Sequence, residues 1–218
     1  MPTTEVLDPV STPTPAPTSA PVSPSAPAPL KLAVILGSNR EGRFGPVVSD
    51  WFLSRVASRA DFTVELIDLA GAALPPVLSF NLAEDARAGL AKVSASLAEA
   101  DAFVVLTPEY NHSFPAPLKS LIDWHHAEWQ AKPVAFVSYG GISGGLRAVE
   151  QLRQVFAELH AVTVRDTVSF HNAGALFDEE GRPKDPTRCD AAATTMLDQL
   201  AWWALALREA KASRPYGG

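Results

Sequence analysis

The sequence predicts an α/β protein built on a doubly wound, five-stranded parallel sheet in the order 2-1-3-4-5, with helices on both faces. The first observation is an alternation, beginning at Leu30, of short β-branched apolar runs with longer amphipathic stretches. The second is that 218 residues, of which 47% are hydrophobic and 19% charged, can form one substantial core. The strand order is the one that a five-stranded sheet of this type most often adopts.

Each element is predicted from its own run of residues. Apolar runs predict strands over residues 30–36, 62–68, 101–107, 133–139 and 161–170. Amphipathic stretches predict helices over residues 46–58, 83–98, 116–124, 146–159 and 186–212. The last helix is more apolar than a helix that faces solvent, so we expect it to pack on the sheet or on a partner.

The two ends of the chain differ from the predicted domain in composition. Residues 1–29 hold nine of the nineteen prolines and no Lys or Arg. They predict a disordered tail, partly polyproline II, because so little apolar surface cannot offset the entropy of ordering. The tail lacks the basic start and continuous apolar stretch of a secretory signal. The predicted domain covers residues 30–212, and residues 213–218 are expected to be a flexible C-terminus.

Charge and cysteine content exclude several classes of function. Without its two tail carboxylates the chain has 18 basic and 22 acidic residues, a net charge of −4, and no basic cluster that would follow a nucleic acid backbone. No apolar run approaches the roughly 20 residues that span a bilayer, and the single cysteine, Cys189, cannot form an internal disulfide. We therefore expect a cytoplasmic protein that binds neither nucleic acid nor membrane.

Three loops are candidates for a ligand site. In a doubly wound sheet, ligands bind outside the carboxyl ends of the strands, at the point where the strand order reverses. This rule selects GSNREGRFGP after the first strand, PEYNHSFPAP after the third and SYGGISGG after the fourth.

The first of these loops has the composition of a phosphate site. It combines glycines, a serine hydroxyl and arginines next to a helix N-terminus, where backbone amides and the helix dipole favour an anion. Its glycines do not have the G-x-G-x-x-G spacing of a dinucleotide site, and no Walker A sequence follows. The loop therefore predicts a site for a monophosphate.

The second loop is bounded by prolines and carries several polar groups. Pro108 ends a strand because it lacks the donor for the ladder, and Pro115 and Pro117 favour the start of a helix. A stiff loop with the ring of Tyr110 and free amides suits a flat heteroaromatic ligand. An ordinary turn with an exposed Glu109 remains the alternative.

The third loop contains four glycines between residues 140 and 145, which allow close approach of the backbone to a ligand or positive φ angles. It also matches the G-x-S-x-G nucleophile elbow of hydrolases at Ser143. Asp166 and His171 follow in the order of a triad, so a serine hydrolase is a second hypothesis. The hydrolase hypothesis is not favoured, because Asp166 and His171, five residues apart on one predicted strand, would point poorly toward Ser143. The H-G-G-G oxyanion loop is also missing.

Together the three loops resemble those of the NADPH-dependent FMN reductase family, flavodoxin-like quinone, azo and flavin reductases. The likeness covers about residues 31–170 and implies the flavodoxin-like form of the fold. It implies FMN with its phosphate held by Ser38 and Arg40, with backbone help from Phe44, Gly45 and Pro46. The implied contacts of the ring are Pro108, Glu109, Tyr110, Asn111, Ser138, Tyr139, Gly140 and Gly141.

The resemblance also implies an activity. NAD(P)H would reduce FMN, which would pass electrons to a quinone, azo compound, free flavin, metal ion or other soluble acceptor, in a homodimer. Hydride transfer needs stacking and positioning rather than a side-chain acid or base, so we predict no catalytic residue and no metal site. Arg43 and Arg147 are candidates for contact with a 2′-phosphate. A flavodoxin-type electron carrier is the alternative, which the modest net charge does not favour.

A group of large side chains follows the third predicted helix. Trp124, His125, His126 and Trp129 are expected beside the flavin edge, where they would line the acceptor slot or a dimer interface. The two adjacent histidines are expected at the surface or interface, since neighbours on a helix point about 100° apart and no third metal ligand is near.

Overall fold

The computed structural model describes residues 28–217, and within them a single six-stranded parallel sheet carries helices on both faces. The strands are β1 (Leu30–Leu36), β2 (Phe62–Asp68), β3 (Ala102–Pro108), β4 (Pro133–Tyr139), β5 (Val162–Thr163) and β6 (Val168–Phe170). The helices are α1 (Gly45–Ala57), α2 (Glu84–Glu99), α3 (Ala116–Asp123), α4 (Leu146–Glu158), α5 (Ala173–Leu176) and α6 (Pro186–Ser213).

Side chains of the central strands alternate between two core layers, because successive residues of a strand point to opposite faces. Leu32, Val34 and Leu36 pack on one face, against α1 and α6. Ala33 and Ile35 pack on the other face, against α2, α3 and α4. The order β2-β1-β3-β4-β5 confirms the predicted topology, and α6 packs on the sheet as expected.

The prediction of one continuous fifth strand over residues 161–170 is wrong. Val134 of β4 pairs with Thr163 and Val137 pairs with Val168, so β4 advances three residues while the other segment advances five. The two extra residues loop out between β5 and β6. The guanidinium of Arg153, on α4, donates to the carbonyls of residues 164 and 165 at 2.7 and 2.9 Å, which satisfies backbone groups that the sheet leaves free.

Two of the four large side chains after α3 are in the core. Trp129 is fully buried, with ring centroids 4.7 Å from Phe103 and 5.3 Å from Phe156. His125 is also buried, and its Nδ1 donates to the carbonyl of Leu121 at 2.7 Å. The expectations that Trp129 lines a slot and that His125 lies at the surface are therefore wrong, whereas His126 is exposed.

The ends of the described chain are held by side chains. The predicted tail, residues 1–29, lies outside the described residues except for Ala28 and Pro29, whose carbonyls accept hydrogen bonds from Arg208. Beyond α6, the hydroxyl of Tyr216 lies 2.9 Å from Nδ1 of His160. Within residues 28–217, no helix combines the length and apolar character that crossing a membrane requires.

Candidate functional site

The three loops meet at the carboxyl edge of the sheet. The registers place Leu36 of β1 beside Leu106 of β3, and Pro108 of β3 beside Tyr139 of β4, so the loops that follow are neighbours. The hydroxyls of Ser38 and Tyr110, 2.6 Å apart, join the first loop to the second. Sequence position alone therefore predicted which segments come together.

The start of α1 leaves backbone donors free. Phe44, at the N-cap position, gives no side-chain cap, and within residues 28–217 the amides of Phe44 and Gly45 have no hydrogen-bond acceptor. Unpaired amides and the helix dipole together attract an anion. Pro46 has no N-H, so it sets the backbone angle of the first turn but cannot donate to a phosphate.

The two arginines of the first loop have different environments. Arg43 donates to the carbonyl of Ser38 and to both carboxylate oxygens of Asp68, each at 2.5 Å. The hydrogen bonds from Arg43 hold the pKa of Asp68 below its ordinary value. Arg40 is exposed and forms no ion pair with another described residue. Arg43 therefore braces the loop, and Arg40 is the cation available to a ligand.

The second loop is a tight turn from Tyr110 to Ser113. These two residues exchange backbone hydrogen bonds of 2.9 and 3.0 Å, and both central residues have positive φ, 50° at Asn111 and 73° at His112. Two positive φ angles identify a type I′ turn. Gln151 of α4 donates to the carbonyl of His112 at 2.8 Å and accepts from the Ser113 hydroxyl at 2.5 Å. These contacts hold both ends of the turn, and the clamp by Gln151 was not evident from the sequence.

Glu109 connects the second loop to the third. Its carboxylate accepts from the Ser143 hydroxyl at 2.6 Å, from the Arg147 amide at 3.2 Å and from the Arg147 guanidinium at 3.1 Å. Burial alone would raise the pKa of Glu109, but these hydrogen bonds outweigh it and leave that pKa below its ordinary value. Glu109 is thus a brace that caps α4, with its carboxylate occupied by three donors, while the Arg147 guanidinium gives one donor to Glu109 and stays 46% exposed.

The third loop turns back on itself through two glycines in the left-handed region, Gly144 at φ 61° and Gly145 at φ 85°. The hydroxyls of Ser138 and Ser169 both donate to the Gly144 carbonyl at 2.8 Å. A Cβ placed on Gly141 would meet nothing within 4 Å, and the Gly141 amide donates to no described residue. Gly141 therefore offers an open, unpaired backbone donor at the site.

The ring of Tyr139 lies in the core rather than on an open surface. It packs near Phe44, with ring centroids 6.3 Å apart, and is 4% exposed. Its hydroxyl is buried without a hydrogen-bond partner among the described residues, and burial raises the pKa of this tyrosine. A Cβ on Gly45 would lie 2.7 Å from this hydroxyl, so the orphaned group faces the start of α1.

These groups fit the phosphate and polar chain of FMN. The unpaired amides of Phe44 and Gly45 at the start of α1, the guanidinium of Arg40 and the Tyr139 hydroxyl are all hydrogen-bond donors at one end of the site. A buried hydroxyl without a partner costs free energy that an anionic or hydroxylated ligand would recover.

The side chains of the hydrolase hypothesis are not arranged as a triad. The Ser143 hydroxyl donates to Glu109 and not to a histidine. Nδ1 of His171 donates to the carbonyl of Ile142 at 2.9 Å, while the Asp166 carboxylate contacts Arg165 and Gln199. Among the described residues, His171 forms no hydrogen bond with Asp166 or with Ser143, so the three do not make a triad.

Comparison with known proteins identifies the family. Residues 30–175 match the model of the NADPH-dependent FMN reductase family. An NAD(P)H-dependent FMN reductase of Schizosaccharomyces pombe is 34% identical over 134 residues, which are 57% of this chain and 64% of that protein. The chain thus matches less than two thirds of that relative's length. A 2-hydroxy-1,4-benzoquinone reductase of a Burkholderia species is 28% identical over 182 residues, 80% of this chain and 96% of the relative.

A solved structure with the same fold is FerB, a flavoenzyme NAD(P)H:(acceptor) oxidoreductase from Paracoccus denitrificans. It superposes with a TM-score of 0.66 at 21% identity, over 81% of this chain and 98% of FerB. This likeness concerns the fold and confirms the flavodoxin-like architecture. Since the family match spans most of the chain and includes all three loops, the protein belongs to the NADPH-dependent FMN reductase family.

Proposed function

We propose that this protein binds FMN at the three loops and uses it to carry electrons from NAD(P)H to a soluble acceptor such as a quinone, azo compound, free flavin or metal ion. The observation that carries the proposal is the set of unpaired donors at the start of α1, beside the buried hydroxyl of Tyr139. When bound, FMN supplies the hydride chemistry, taking a hydride from the reduced nicotinamide and passing electrons onward.

The first loop holds the phosphate in this proposal. The amides of Phe44 and Gly45 and the guanidinium of Arg40 donate to it, and the Tyr139 hydroxyl donates to the phosphate or to the chain next to it. Arg43 does not contact the phosphate, because Asp68 and the Ser38 carbonyl already occupy its guanidinium. Ser38 fixes the position of Tyr110 through their hydroxyl contact.

The second and third loops hold the ring. The type I′ turn presents Tyr110 and Asn111 on one side, and the open backbone of Gly141 lies on the other loop. The unpaired Gly141 amide is placed to stabilise negative charge at the ring edge. The carboxylate of Glu109 is occupied by three donors, so it serves as a support and takes no proton. Positioning, not acid or base catalysis, is the contribution of these residues.

We also propose that the protein is a cytoplasmic homodimer. The segment between β2 and α2 exposes Val77 at 69%, Leu78 at 57% and Phe80 fully. The indole of Trp124, the residue after α3, donates to the Pro75 carbonyl in the same segment. Apolar side chains this exposed and this close together are typical of an interface. Sedimentation of Phe80→Ser at matched concentrations tests the dimer, which should dissociate more readily than the unsubstituted protein.

The experiment that tests the function is a visible spectrum of the purified protein with added FMN, then NADPH, then a quinone. We expect retained flavin bands that bleach with NADPH and return with the quinone. Arg40→Gln should weaken FMN retention, whereas Arg214→Gln, an equal change of charge at the end of α6, should not. A protein that retains no FMN contradicts the proposal. Retained FMN that NADPH does not reduce would instead support an electron carrier.

A further inference from the structure

A cavity at the amino-terminal edge of the sheet is lined by two lysines. It has a volume of about 320 Å³ and lies between the end of α2, the segment that joins α3 to β4, and the end of α6. Lys132 directly precedes β4, and Lys211 lies in the last turn of α6. The three candidate loops follow the opposite ends of the strands, so this cavity is separate from the proposed FMN site.

Lys132 has one N-H group that no described residue accepts. It is 7% exposed, and its Nζ donates to the carbonyls of Leu97 and Ala98 at 2.7 and 2.9 Å. These carbonyls belong to the last turn of α2, so Lys132 caps the C-terminus of that helix. The ring centroid of Phe103 lies 5.4 Å from Nζ and favours its charge. An ammonium group has three donors, so one is left for a ligand.

Lys211 brings a second positive charge close to the first. It is half-buried and forms no hydrogen bond or ion pair with another residue in the described part of the chain. Burial lowers the pKa of both lysines, and the charge of Lys211 helps to lower that of Lys132 to about 8. Asp101 and Glu128 act in the opposite direction on Lys132, but neither pairs with it. Two neighbouring, partly dehydrated cations with unpaired donors favour an anion.

The other lining residues limit the size of that anion. Glu128 and Gln130 precede β4, and Tyr216 follows α6. The volume is at the lower end of the range of about 300–1,000 Å³ for small-molecule sites, so it suits a single oxyanion rather than a dinucleotide. Two positive charges from the lysines and one negative charge from Glu128 leave the lining a net charge of +1.

We propose that this cavity binds a small oxyanion, such as phosphate or sulfate, between the ammonium groups of Lys132 and Lys211. The anion accepts the third N-H of Lys132 and an N-H of Lys211, and it offsets the repulsion between two cations that the fold holds close together. Lys132 has to be protonated to donate in this way, so binding of the anion is coupled to uptake of a proton. The site does not involve FMN, so the inference stands apart from the proposed function.

NMR signals of the lysine Cε groups in the full-length protein test the proposal. Labelling with ¹³C at Cε reports the protonation of each ammonium group, and Lys132→Arg and Lys211→Gln assign the two signals. Sulfate is the probe because its charge does not change with pH in this range, and chloride at equal ionic strength is the reference. FMN is present in excess, so that it competes for the donors at the start of α1. We expect sulfate, but not chloride, to raise the pKa of Lys132, and to bind about tenfold more weakly at about pH 9.5 than at pH 7.

Variants of the lining should change sulfate affinity in opposite directions. Lys211→Gln should weaken binding about tenfold, because it removes one of the two charge-assisted donors. Glu128→Gln should strengthen binding, because it removes the carboxylate from the lining. Lys92→Gln is the matched control, since it makes the same change of charge as Lys211→Gln at an exposed position on α2.

Two results would overturn the proposal. One is an equal response of the Lys132 signal to sulfate and to chloride. The other is an equal sulfate affinity in Lys211→Gln and Lys92→Gln. Both are read from a signal at the cavity itself, so a failure of FMN binding would not be mistaken for either of them.

Discussion

The carboxylate of Glu109 lies 2.6 Å from the hydroxyl of Ser143, and this contact joins the second loop to the third. The same carboxylate accepts from the amide of Arg147 in the first turn of α4, a position where a negative charge also complements the helix dipole. Two loops that come from different strands are therefore fixed relative to each other before any ligand binds. Such preorganisation lowers the entropic cost of binding.

Replacing Glu109 by glutamine should weaken FMN binding. The amide keeps an acceptor oxygen but loses the charge that strengthens all three hydrogen bonds, and charge-assisted bonds contribute about 1.5–3 kcal/mol each. Because Arg147 is 46% exposed, part of this is screened, and we expect a dissociation constant about tenfold higher. Titration of FMN fluorescence measures the change. Glu99→Gln, which removes an exposed pair with Lys31, is the control, and equal constants for both variants would contradict the role given to Glu109.

Replacing Gly45 by alanine should destabilise the protein. The added Cβ would lie 2.7 Å from both Leu36 Cδ1 and the Tyr139 hydroxyl, in a core that has no space for it. Overpacking of this kind costs about 1–3 kcal/mol of the free energy of unfolding, which urea denaturation measures. Gly174→Ala is the matched control, because its Cβ would meet nothing within 4 Å. A stability of Gly45→Ala equal to that of the control would show that α1 shifts without cost.

The sequence predicted the strands and the three loops because those depend on local apolar runs and on a general rule about sheet edges. It did not predict the break in the fifth strand. The backbone carbonyls freed by that break accept hydrogen bonds from Arg153, which lies on α4 and is distant in sequence. The ion pair of Arg43 with Asp68 was also missed, because Arg43 lies in the first loop and Asp68 lies at the end of β2, 25 residues further along the chain. Trp129 was expected beside the flavin edge, in the acceptor slot or a dimer interface, whereas aromatic rings from β3 and α4 bury it. The local sequence pattern could not predict these side-chain contacts, because each joins elements that are far apart in the chain.

The contribution of Asp68 to stability should depend on pH. Its pKa is lowered in the folded protein by Arg43, so its contribution is present above the unfolded pKa of about 3.9 and is lost as the pH falls through the lower folded value. At pH 7 we expect Asp68→Asn to be less stable by about 1 kcal/mol, since the carboxylate is partly exposed and screened. This difference should shrink as the pH falls below about 4. Urea denaturation across that range measures it.

Asp50→Asn is the control for that series, because Asp50 is exposed on α1 and pairs with no Lys or Arg among the described residues. A change with pH that appears in both variants therefore does not come from the ion pair between Asp68 and Arg43. A gap for Asp68→Asn that persists unchanged at low pH would mean that packing, not the ion pair with Arg43, is what the substitution removes.

Replacing Tyr139 by phenylalanine should change stability and FMN affinity in opposite directions. Without FMN, the buried hydroxyl has no partner among the described residues, and an unsatisfied buried group costs about 1–3 kcal/mol, so its removal should stabilise the FMN-free protein by about 1 kcal/mol. In the proposed complex the hydroxyl donates to FMN, so its loss should raise the dissociation constant about fivefold to tenfold. Urea denaturation of the FMN-free protein and fluorescence titration measure the two quantities separately.

Tyr216→Phe supplies the comparison, since its hydroxyl contacts His160 near the C-terminus, at the opposite edge of the sheet from the three loops, and should alter neither FMN affinity nor the core. An unchanged affinity in Tyr139→Phe would place the phosphate away from this hydroxyl, toward the amides of Phe44 and Gly45 and the guanidinium of Arg40. A loss of stability in the FMN-free protein would show that the hydroxyl is already satisfied there. If the hydroxyl has only a structural role, its removal lowers both the stability of the FMN-free protein and the affinity for FMN. If it binds the ligand, its removal raises the stability and lowers the affinity. The sign of the stability change therefore decides between the two roles.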